Sequence, residues 1–137
     1  MPLQFKIITP MRTAVDAEVL SVHLIGAQGE MEVLPGHTDL ISCVANGALT
    51  YRLASGESQN LFVGGGFLQV ENDEVLLVTN TALDSEEIDT DSVEQAIARA
   101  QEALRNKASV LSREETTYLE ASIARQMAML DYKKQRR

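Results

Sequence analysis

Every glycine and every proline of this 137-residue chain lies at or before residue 66. Glycine admits backbone conformations closed to other residues, and proline stops a helix from continuing, so the two punctuate a chain. Eight glycines and three prolines therefore cut the first half into short pieces, while residues 67–137 contain none. Such a chain is constrained to two styles of folding: strands joined by tight turns first, uninterrupted helices after.

The strand half reads piece by piece. Leu3-Gln-Phe5-Lys-Ile7 alternates apolar and polar residues, the period of a half-buried strand, and Thr9-Pro10 ends it. Residues 15–25 form a longer strand with one largely apolar face. Gly26-Ala-Gln-Gly29 turns into the short run Glu30-Met-Glu-Val-Leu34, and Pro35-Gly36-His37 turns again before Leu40. Residues 40–45 end at Asn46-Gly47, the dipeptide of two-residue hairpins, and residues 48–53 return. Ser55-Gly56-Glu57 turns, residues 58–63 run into Gly64-Gly65-Gly66, and Phe67-Leu-Gln-Val70 alternates up to the turn Glu71-Asn-Asp-Glu74. Residues 75–78 close the run. About ten short strands at regular spacing predict an all-β sandwich of antiparallel strands over residues 1–83.

The helical half opens on residues 84–94, which hold six acids and no base and read as a solvated linker. Val93, Ile97, Ala100, Leu104, Ala108 and Leu111 then recur at intervals of four and three, one face of a helix. Asp91 with Glu94 has the spacing of a capping box, with Asp89 or Thr90 as alternative caps. Ser112 with Glu115 repeats the signature, which starts a second helix near residue 113 with Leu119, Ile123, Met127 and Leu130 on its apolar side. Residues 84–137 are thus predicted to be an acidic linker and a two-helix antiparallel hairpin. So few large apolar side chains make the hairpin marginal by itself; it needs support from the sandwich, from another protein, or from both.

Composition removes several functions. A formal charge of −8 argues against nucleic acid as a partner. No apolar run reaches membrane-spanning length, the first residues lack the apolar region of a signal peptide, and Cys43 has no second cysteine to pair with, which together favour a cytoplasmic setting. Cys43 reads as a small buried thiol. Gly64-Gly65-Gly66 lacks the Lys-Ser/Thr of a phosphate loop and is read as a bend or close backbone approach in the sheet. His23 and His37 have no zinc-ligand spacing to Cys or acids, Glu30 and Glu32 read as exposed carboxylates, and no serine sits in a nucleophile motif. No catalytic residue, no metal and no cofactor is expected. The chain's end is charged the other way: Arg125, Lys133, Lys134, Arg136 and Arg137 against Asp131 alone. That exceeds what complementing a helix dipole requires and suggests docking to an acidic partner.

Gly26-x-x-Gly29-Glu30, Leu34-Pro35-Gly36-His37-x-x-Leu40, Val63-Gly64-Gly65-Gly66-Phe67-x-x-Val70 and Val78-x-x-Thr81-Ala82 resemble, in order and spacing, the epsilon subunits of F-type ATP synthases. The resemblance covers the whole chain and rests on the turn and glycine motifs together. It implies a non-catalytic rotor subunit of the central stalk that couples proton-driven rotation to ATP synthesis, on the cytoplasmic face of the bacterial inner membrane. It implies that the sandwich binds the gamma subunit and sits on the c-ring, with ring contact around Glu30 and His37. It further implies a hairpin that folds against the sandwich or extends along gamma into the catalytic head, where it inhibits hydrolysis. There, basic residues of the second helix, here Arg125, Lys133 and Lys134, meet the beta subunit, with the alpha subunit as a further neighbour. Some relatives bind ATP through Ile/Leu-Asp-x-x-Arg-Ala. This chain keeps Ile88 and Asp89 but has Ser92 and Val93 for Arg and Ala, so no ATP binding is expected. The rival readings are a free-standing β-sandwich ligand-binding module with a helical dimerisation tail, and the mitochondrial counterpart of the same fold.

Overall fold

A computed structural model of the chain describes residues 2–135. It divides into two compact units, one running to Asp84 and one beginning at Ser85.

The first unit contains seven strands: β1 (Leu3–Ile8), β2 (Thr13–Gly26), β3 (Gly29–Val33), β4 (Leu40–Leu53), β5 (Ser58–Glu71), β6 (Glu74–Thr79) and β7 (Ala82–Leu83). Each of β1, β6, β5, β4 and β2 pairs with the next, and β1 pairs back onto β2, so five strands close on themselves as a flattened barrel. β3 extends the edge of β2 beyond the part that β1 covers, and β7 adds to β5. One pairing, β1 with β6, is parallel.

The sandwich class holds, but about ten antiparallel strands become seven with one parallel seam. The reason is that two sets of glycines do not end strands. β4 runs straight through Asn46-Gly47, and β5 through Gly64-Gly65-Gly66, while the two stay in one register from Leu40 opposite Val70 to Arg52 opposite Ser58. The Asn-Gly hairpin expected there does not form. Gly47 serves space instead: a Cβ on it would come within 2.8 Å of Ile25 Cδ1. Gly66 serves a close approach, because a Cβ there would overlap the Val78 carbonyl oxygen and stand 3.0 Å from Thr79 Cα on β6. Hairpins turn instead at Ala27-Gln28 between β2 and β3, at Ser55-Gly56 and at Asn72-Asp73. The last two residues have φ of 50° and 62°, the left-handed pair that a two-residue hairpin loop requires.

Alternation builds the core. β1 buries Leu3, Phe5 and Ile7 completely, and they meet Val19, Val22, Leu24, Leu49, Leu68, Val70, Val75 and Leu77 in one cluster. With no tryptophan available, the interior is aliphatic, apart from buried Phe5 and Phe62. The ring of Tyr51 packs edge-on to Phe5 at 5.5 Å, and burial pushes its hydroxyl pKa up.

The second unit opens with a short 3-10 turn, Ser85–Glu87, followed by α1 (Thr90–Asn106) and α2 (Arg113–Gln135). Of the caps open to α1, Asp89 is the one used: its carboxylate accepts from the Asp91 backbone N–H (3.2 Å) and the Ser92 hydroxyl (2.8 Å). α1 stops at Asn106, so Ala108 and Leu111 lie beyond it, in a turn closed by the Val110 and Leu111 N–H groups on the Lys107 carbonyl. α2 begins with the expected box: Glu115 N–H donates to Ser112 Oγ (3.0 Å), and Ser112 N–H to Glu115 Oε1 (3.2 Å). Arg136 and Arg137 of the basic end lie outside the described residues.

Candidate functional site

The short strand β3 pairs on one side with β2 and carries Glu30 and Glu32 in solvent. Glu30 lies opposite Ile25 and lines an open groove of about 620 Å³ between the Gly26–Glu30 turn region and residues 40–43 at the start of β4. His37 lies in the next connection and does not line that groove. It is half-buried; its N–H closes the turn on the Leu34 carbonyl (3.0 Å), and its ring Nδ1 stands 2.7 Å from the Thr38 carbonyl oxygen. A carbonyl only accepts, so Nδ1 carries the proton, and Nε2 is the nitrogen left for another molecule. This connection is tied to the β5–β6 turn. Gly36 N–H donates to Asp73 Oδ1 at 2.7 Å, and Asn72 N–H to Asp39 Oδ1 at 3.4 Å. Exposed Leu34 stands beside it.

A second feature was not read from the sequence. Cys43 of β4 is opposite Phe67 of β5, Phe67 opposite Val78 of β6, and Val78 opposite Ile8 of β1. All four point outward: Phe67 is 61% exposed, Val78 46%, Ile8 36%, and Cys43 is exposed too. Ile41, two residues from Cys43 on the same side, is 75% exposed. One apolar row thus crosses four strands on the outside of the barrel. The expectation of a buried Cys43 is corrected here. Leu40-Ile-Ser-Cys-Val44 has no clean alternation, so parity within it is invisible until Val44 is seen to point inward and Cys43 outward. The available signal was Phe67, an aromatic residue on the same parity as Gln69.

On the helical unit, the predicted residues separate. Lys133 Nζ donates to the Ser85 carbonyl at 2.6 Å, Lys134 is exposed and Arg125 half-buried. Ile88 is buried, and Asp89 is committed to the α1 cap. The Ser92 hydroxyl first, then the backbone N–H groups and the charge of Lys133, together outweigh an opposing desolvation and hold the Asp89 carboxyl below the usual carboxylate range. Ser92, standing where an arginine would be needed for phosphate, thus completes the cap. Among the described residues, no three His, Cys, Asp or Glu side chains gather as metal ligands, and no helix is long and apolar enough to cross a membrane.

Residues 2–85 match the family described as ATP synthase, Delta/Epsilon chain, beta-sandwich domain. The ATP synthase epsilon chain of Moorella thermoacetica is 38% identical over 128 residues, covering 93% of each chain. That of Geobacter metallireducens is 33% identical over 128 residues, covering 93% of this chain and 89% of its own. Among solved structures, one chain of the Euglena gracilis mitochondrial ATP synthase OSCP/F1/c-ring assembly superposes with a TM-score of 0.72 at 21% identity, over 95% of this chain and 80% of that one. One chain of the Tetrahymena thermophila mitochondrial central stalk/c-ring gives 0.63 at 8% identity, over 97% of each. The likeness to these two structures supports the fold; the sequence matches carry the family. With glycine-shaped strands, an outward apolar row and relatives that match both units, the chain belongs to the ATP synthase epsilon-chain family.

Proposed function

We propose that the barrel is held between the gamma subunit and the c-ring, and that the apolar row is the face gamma covers. The single observation that carries this reading is the row itself, Ile8–Val78–Phe67–Cys43 with Ile41, because a contiguous outward aliphatic and aromatic stripe marks a surface that another protein covers. Glu30 and His37 belong to the ring contact: Glu30 lies on β3, His37 in the connection that follows it, and His37 keeps Nε2 available. Rotor torque then passes from ring to gamma through a rigid closed barrel. At the other end of the chain, Arg125 and Lys134 supply the charge that meets an acidic surface of the beta subunit, with alpha adjacent; Lys133 joins them once released from Ser85. Through that contact the hairpin inhibits hydrolysis. The subunit lies on the cytoplasmic face of the bacterial inner membrane, peripheral to it through the complex. ATP is not a ligand, since Asp89 is used by its own helix and Ser92 offers no guanidinium.

Co-purification tests this. Phe67→Ser should leave the free chain folded, since the side chain is outward, and should cost recovery with gamma by about tenfold or more. Undiminished recovery of gamma with Phe67→Ser, or a native chain found only as a free homodimer, overturns the assignment of the row.

A further inference from the structure

The connection that carries His37 has no regular secondary structure of its own between β3 and β4, yet its backbone is held from outside by a carboxylate. Asp73 stands at the tip of the β5–β6 hairpin with φ of 62° and is half-buried. Its Oδ1 accepts the Gly36 N–H at 2.7 Å, while its own carbonyl accepts the N–H of Gln4 on β1 at 2.9 Å. One residue therefore joins three segments: the hairpin tip, the first strand and the Pro35-Gly36-His37 turn. Asp39, at the far end of the same connection, returns the bond by accepting the Asn72 N–H at 3.4 Å. The two carboxylates clamp the connection from both ends, and the shorter bond is the one next to His37. A bond from a backbone N–H to an ionised carboxylate is among the stronger hydrogen bonds available to a loop. The His37 N–H and ring bonds, by contrast, stay within residues 34–38.

We propose that Asp73 is a positioning residue: it fixes the Gly36-His37 turn to the β5–β6 hairpin and thereby sets where His37 Nε2 is presented. Its consequence for coupling rests on the ring-contact reading of His37 given above. The left-handed backbone at residue 73 gives the test its resolution. Asparagine tolerates that conformation and keeps an acceptor oxygen; glycine tolerates it and has no acceptor. Asp73→Asn and Asp73→Gly therefore differ in the bond and not in backbone strain.

Two measurements on the full chain and its complex decide the matter. In the free chain, amide hydrogen exchange of Gly36 should speed up about tenfold in Asp73→Gly and by clearly less in Asp73→Asn, whose neutral amide oxygen keeps a weaker bond. In membranes carrying the assembled ATP synthase, protons pumped per ATP hydrolysed should fall in Asp73→Gly, be retained in Asp73→Asn, and fall furthest in His37→Ala. Unchanged Gly36 exchange in Asp73→Gly overturns the positioning role. So does faster exchange with full coupling in Asp73→Gly where His37→Ala is uncoupled. Full coupling in His37→Ala overturns the ring-contact reading instead, and the Gly36 exchange rate still decides what Asp73 does.

Discussion

The two units of this chain achieve order by opposite means. The barrel buries residue after residue completely, Leu3, Phe5, Ile7, Val19, Leu24, Leu49, Leu68 and Leu77 among them, in one continuous cluster. In the helical unit α1 buries only Val93 and Ala100, and α2 only Met129 and Tyr132. Its order depends more on its ends: the Asp89 cap, the Ser112–Glu115 box and the bond from Lys133 to Ser85. Core burial is insensitive to salt and mild acid; caps and charged contacts are not. The contrast suits the roles proposed above, a barrel that transmits force and a hairpin that docks elsewhere.

The sharpest way to break the comparison is at a barrel glycine. Gly66→Ala should cost about 4 kcal/mol in denaturant unfolding, because the new methyl group overlaps the backbone of β6 and a strand must move. A loss under about 1 kcal/mol would mean the strands yield easily and the barrel is not the rigid half. Next comes a pair. Leu68→Ala should remove about 3 kcal/mol from the barrel's stability, while Ile123→Ala, half-buried on α2, should remove about 1 kcal/mol from the helical signal's own transition. Equal losses would erase the difference between the units. The smallest effect concerns pH. The Asp89 pKa is lowered in the folded state, so its contribution is present above the unfolded value and is lost as pH falls through the lower folded value. Helicity of α1 should therefore decline in that acid window, and Asp89→Asn should flatten the decline. The same titration in Asp89→Asn is the control that would expose a different group.

Much of this was legible in the sequence, for identifiable reasons. Leu3-Gln-Phe5-Lys-Ile7 and Ser112 with Glu115 carry their own signals, period two and a reciprocal cap, and both appear where expected. The glycines misled in part. Asn46-Gly47 has the local chemistry of a hairpin, but β5 pairs with β4 along its whole length and overrides it. Local propensity cannot anticipate a partner strand that is already committed. The end of α1 was overrun because Ala108 and Leu111 keep the helical period into a turn that itself buries little. Glu30 and His37 were singled out through family likeness alone. Asp73 and the outward row were not found, since each exists only when strands distant in sequence are brought side by side.

The seam between β1 and β6 has a bearing on how the chain is made. Phe5 finds its neighbour Ala17 almost at once, but its other neighbour, Val75, is translated much later. Until the ribosome has passed that point, the first strand has one edge unsatisfied and the sheet remains an open ribbon, the state in which strand edges stick to other chains. Closure is thus withheld until nearly the whole first unit exists. A nascent chain stalled short of β6 would be left with its aliphatic interior uncovered, a substrate for chaperones and proteases, and only a chain that has cleared this checkpoint is fit to be assembled.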